Sequence, residues 1–149
     1  MSFGWSAGDI ATAIAFIVKI VQALDSASGA SAEYREAVAF LRDIQRTLKP
    51  LLTFTELNIY PSNGDAIRDK VLEIKGPIED FMKAVLKYEP SLGTCSIRGH
   101  HRNVWQKLEW RFSVSKDFEK LRRKVGDHLV VIDKLLQYLT MYVSWRILQ

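Results

Sequence analysis

The chain has one cysteine, Cys95, so no internal disulfide can hold it together and its fold must rest on a core. A lone thiol fits a reducing, cytoplasmic setting. Glycine and proline are scarce, with eight and four copies among 149 residues, and strand-like alternation is rare. These shortages exclude collagen-like, disulfide-scaffold and Gly/Pro-rich disordered classes. The phosphate-cradling glycine loops, the H-E-x-x-H zinc helix and the G-x-S-x-G elbow are all missing. Cys95, His100, His101 and His128 are too few and too awkwardly spaced for a metal site. Glu79-Asp80 reads as a solvated helix face, not an acid/base dyad. The expectation is a protein that is not an enzyme, with no metal and no cofactor. The most apolar run has no Lys or Arg before it, and Asp9 stands at its entry, which is the wrong flank for a secretory signal.

What the chain does have is apolar residues, 48% of the total, set at helical period. The first such stretch runs from Ile10 to Leu24. Its polar side chains, Thr12, Lys19 and Gln22, fall within about 80° of one another on a helical wheel. A helix so widely apolar belongs at the centre of a bundle or in a membrane. Its fifteen residues reach roughly 22 Å, short of the ~30 Å hydrocarbon layer. Ser6-x-x-Asp9 is a capping pattern at its entry, and Ala7, Ala11 and Ala15 form a smooth strip.

Four more helices are expected: Ala32–Leu57, Asp65–Tyr88, Asn103–Phe112 and Lys116–Tyr142. Pro50 should kink or end the second near Lys49, and Gly76-Pro77 should bend the third, with both halves kept helical by packing. Residues 89–102 read as an exposed loop. The fold class is therefore all-α: a single domain over 1–149, a bundle of about five helices around a central hydrophobic N-terminal helix.

Charge is uneven. The net value is +4, yet Arg98 to Lys124 alone sums to +6. Arg98, Arg102, Lys107, Arg111, Arg122, Arg123 and Lys124, with Lys116 and Lys120, form a basic region interleaved with Trp105 and Trp110. Such a region suits anionic lipid head groups, a protein partner or nonspecific nucleic-acid contact, or is simply a solvated face. No sequence-specific nucleic-acid reading is expected. The final stretch, Y-L-T-M-Y-V-S-W-R-I-L-Q, is rich in aromatics. It must bury against the bundle, pair with another chain or continue into a further domain.

Several segments add up in order and spacing: F-G-W-S-A-G-D (3–9), S-G-A-S-A-E-Y (28–34), I-K-G-P (74–77), K-L-E-W-R-F-S-V-S-K (107–116) and F-E-K-L-R-R-K-V-G-D-H-L (118–129). Together they resemble the fungal HeLo-like N-terminal domains of STAND/NLR-type receptors and ubiquitin-like-domain proteins, which are related to the HeLo and MLKL four-helix domains. The resemblance covers nearly the whole chain. It implies a cell-death effector of innate immunity or incompatibility, regulated by an NLR-type or ubiquitin-like-domain protein. On self-association into a homo-oligomer, such a module moves from cytoplasm to plasma membrane and releases its N-terminal helix to permeabilise the bilayer. The inserting residues would be Phe3, Trp5, Ile10, Ile14, Phe16, Ile17, Val18, Ile20, Val21 and Leu24, with the basic region on anionic lipid. The amyloid-type motif that triggers some relatives is not seen after residue 140. The alternative is a non-lytic helical interaction or oligomerisation module in which the first helix stays in the core.

Overall fold

The computed structural model describes residues 3–26, 32–88 and 114–149. Among these the chain is all-α, with four helices: α1 (Ala7–Ser26), α2 (Ala32–Glu56), α3 (Gly64–Tyr88) and α4 (Val114–Ile147). The helix expected over 103–112 and the loop expected over 89–102 lie outside the described residues.

Each boundary has a local cause. Ser6 Oγ accepts from the Asp9 amide at 3.1 Å, capping α1 as its S-x-x-D pattern requires. Pro50 does not end α2, which continues to Glu56. Its missing N–H leaves one carbonyl of the preceding turn without a helical bond. Leu48, Leu51 and Phe54, buried on either side of it, anchor the helix across the proline. The end comes at Asn58, which adopts φ of 55°. There the Ile59 amide donates to the Phe54 carbonyl and the Asn58 amide to the Thr55 carbonyl. This is the Schellman arrangement, with asparagine in the left-handed position that glycine more often fills. Helix α3 likewise runs unbroken through Gly76-Pro77.

Two antiparallel hairpins make the bundle. In the second, α3 and α4 meet through Glu73 with His128 and Phe81 with Phe118, so numbering rises on one helix as it falls on the other. Between hairpins, α2 and α4 run parallel: Glu36 faces Arg122, and eleven residues further along each helix Thr47 faces Asp133. Helix α1 packs mainly on α2 and more lightly on α3. Among the described helices its main neighbours are therefore two, α2 and α3, and the central placement expected from the sequence is not among the features they show. Its buried side chains, from Ile10 to Leu24, span only about 140° of the helix. The outer face holds Ala11, Thr12, Ala15 and Gln22. Small alanines on that face made the helix read as apolar all round.

Phe118 closes the core at one end, edge-on to Phe40 (5.7 Å) and Phe81 (6.3 Å). Thr47 is the one buried polar side chain among the described residues. Its hydroxyl lies 3.0 Å from the Asp43 carbonyl and 2.7 Å from the Asp133 carboxylate. A buried hydroxyl so paired avoids the cost of an unmet donor and ties α2 to α4 at one register.

Candidate functional site

The residues proposed from sequence to enter a membrane are core residues. Phe3, Trp5, Ile10, Phe16, Ile17, Ile20, Val21 and Leu24 are all buried, and Ile14 and Val18 are half-buried. The short lead before α1 is as firmly seated as the helix. Phe3 stacks at a tilt on Tyr60, with ring centroids 5.3 Å apart. Gly4 takes φ of +82°, and a side chain there would meet Leu72 at 2.7 Å. Only glycine gives both the backbone angle and the clearance that bring the lead against α3. Lys75 Nζ lies 3.4 Å from the Gly4 carbonyl. At ~1.5–3 kcal/mol per large side chain, the eight buried residues together contribute on the order of 10–20 kcal/mol. No helix among the described residues is long and apolar enough to cross a membrane.

Of the basic region, Arg98, Arg102, Lys107 and Arg111 lie outside the described residues, as do Trp105 and Trp110. Arg122, Arg123 and Lys124 are exposed on α4. Arg122 faces Glu36 at 3.6 Å and Glu119 at 4.0 Å. Lys120 and Lys124 line a shallow hollow with Asp80 and Asp117. This part of the surface is mixed in sign, and the exposed pairs in it are worth little individually.

Most of the exposed large apolar side chains among the described residues lie in the C-terminal part of α4 and just past it. Tyr138 is 67% exposed, Met141 70%, Trp145 54% and Leu148 87%. The register with α3 puts Gly64 level with about Gln137, and the register with α2 puts Glu56 level with about Tyr142, by constant spacing along packed helices. Beyond Tyr142, α4 therefore has neither helix beside it. The sequence flagged these aromatics and left three fates open; the bundle does not bury them.

A polar cluster that sequence reading overlooked joins α2 to α3. The Tyr60 hydroxyl donates to Asp65, which also faces Arg68 at 3.5 Å. The hydrogen bond to Asp65, aided by desolvation, holds the phenol above its ordinary value of 10.0. Its signal in the sequence was the five-residue spacing across the Pro61–Gly64 turn. Cys95, His100 and His101 lie outside the described residues, while His128 Nδ1 sits 2.9 Å from Glu73. Compared with known proteins, the chain matches no family model, no curated protein and no solved structure.

Proposed function

We propose that this chain is a non-enzymatic helical interaction module of a signalling protein, in which α1 is permanent core and the exposed C-terminal part of α4 is the contact surface. The observation that carries this reading is the division of apolar residues. Those of the lead and α1 are inside, while large ones of α4 stand in solvent. Withdrawing α1 would forfeit burial comparable to the ~5–15 kcal/mol that holds a whole domain folded. Large exposed apolar patches mark contact surfaces.

A second reading is the membrane-targeting effector that the HeLo-like resemblance implies. One observation favours it. Among the described helices α1 packs on α2 and α3, and the α2–α4 and α3–α4 contacts do not pass through it. A bilayer or an oligomer could then receive the apolar face that α1 withdraws, with Lys19 and the basic region near anionic head groups.

Dye release from anionic liposomes separates the two. The module reading expects no release and no co-sedimentation with vesicles, even when the chain is forced to oligomerise. Release by the wild-type chain that Ala15→Asp abolishes would refute it. That substitution leaves the core untouched and puts a charge on the outer face of α1.

A further inference from the structure

The exposed end of α4 has an order that its composition does not convey. Val131, Lys134, Tyr138, Met141, Trp145 and Leu148 follow one another at intervals of three and four. All six are exposed. On the helical wheel they lie opposite Ile132, Leu136, Leu139 and Val143, the side that faces the bundle. Helix α4 thus carries two seams, one used inside the fold and one uncovered. A three-four seam is the pattern that another helix fills, knob into hole.

We infer that this seam pairs with the same seam of a second copy, antiparallel, about a two-fold axis near Met141 and Tyr142. Three observations select a second copy. The eleven residues from Leu135 to Trp145 carry no charge, so identical surfaces meet without repulsion although the chain has net charge +4. Five of the seven Lys and Arg residues of α4, from Lys116 to Lys124, lie at its other end, and Lys134 and Arg146 only flank the uncharged stretch. The exposed area of the seam with Tyr142 is on the order of 700 Å² per copy, an upper limit to what pairing can bury and within reach of the ~800 Å² per side of a stable pair.

Direction follows from charge and shape. A parallel pair would set Lys134 against Lys134. An antiparallel pair sets Lys134 near Gln149 and brings Tyr138 of one copy against Trp145 of the other. The Arg146 guanidinium, already 5.8 Å from the Tyr142 ring centroid, then lies beside a second aromatic surface. Helix α4 outruns both neighbours at this end, so antiparallel overlap keeps the two bundles apart. A closed two-fold interface uses each seam once and stops at the dimer.

The inference rests on reading the bundle as an interaction module, and its test is separate from dye release. Sedimentation equilibrium of the full chain should give twice the 17.1 kDa chain mass at micromolar concentration. The double variant Met141→Glu/Trp145→Glu should weaken association at least about a hundredfold while its circular dichroism is unchanged. Lys83→Glu, a comparable charge change at an exposed site on α3, should leave it unaltered. In a Cys95→Ser background, Met141→Cys should form a disulfide-linked dimer and Lys134→Cys should not. A monomer at all concentrations, or a dimer indifferent to the double variant, would overturn the pairing. Equal cross-linking at both positions would overturn its direction. A monomeric result leaves the module reading standing, and vesicle permeabilisation would sink that reading whatever the oligomeric state.

Discussion

Replacing Ile17 by aspartate tests whether α1 is a fixed part of the core. Ile17 is 1% exposed. Losing its burial costs about 1.5–3 kcal/mol. The new carboxylate must also be kept neutral or left unpaired in an apolar site. Raising its pKa by about three units costs about 4 kcal/mol at neutral pH. The sum, roughly 6 kcal/mol, reaches the lower part of the range of whole-domain stability. Ala15→Asp, two residues earlier on the exposed face, should cost only about 0.5–0.7 kcal/mol from helix propensity. Urea denaturation followed by circular dichroism compares the two. The pH dependence carries a further signature. The buried aspartate has a folded-state pKa above its unfolded value of about 3.9, so the folded chain binds more protons between the two. Stability of Ile17→Asp relative to wild type must therefore fall as pH rises through that window, and the deficit shrinks toward low pH. Equal midpoints for the two variants, at every pH, would refute the placement of α1 in the core.

Other outcomes follow from the same packing. Phe3→Ala and Trp5→Ala should each cost about 3–5 kcal/mol in chemical denaturation, as large-to-small changes in a filled core do, although both residues precede the first helix. Thr47→Val should cost about 1 kcal/mol through its lost hydrogen bonds. Asp133→Ala should cost less, because the Asp43 carbonyl still accepts from the Thr47 hydroxyl. Ultraviolet difference titration should show Tyr60 ionising above its ordinary value of 10.0, and Asp65→Asn should lower that midpoint. The raised phenol pKa means this contact contributes stability below the unfolded value and loses it as pH rises through the folded one.

Periodicity determined most of the helices in advance. Helix α2 was expected from Ala32 to Leu57 and ends at Glu56; α3 was expected from Asp65 and begins at Gly64. Local chemistry was equally legible at Ser6-x-x-Asp9, where cap and helix lie within one turn. Across Pro77 both halves of α3 are helical, as expected, and of the two outcomes expected at Pro50, a kink or an end, α2 does not end there. Pro50 and Pro77 each remove one donor, and buried neighbours on both sides make it cheaper to keep the helix than to break it. Helix α4 was expected to stop at Tyr142 because nothing local marks its end; it continues to Ile147.

The placement of α1 was beyond the sequence for a related reason. Alanine is apolar enough to widen a helical arc and small enough to sit in water at little cost, so composition cannot say which side of Ala11 and Ala15 the core lies on. Tertiary contacts with α2 and α3 decide it. The lead was equally hidden: the resemblance put Phe3 and Trp5 among the membrane-inserting residues, whereas both are buried, with Phe3 on Tyr60 and the left-handed Gly4 close to Leu72. For the end of α4 the reverse holds. Its apolar spacing is in the sequence, and the structure adds which of its two seams is already occupied. Sequence alone determines where helices form, because period and caps act within a few residues. Which apolar face is buried and which remains open depends on residues far apart in the chain, and only the assembled bundle decides it.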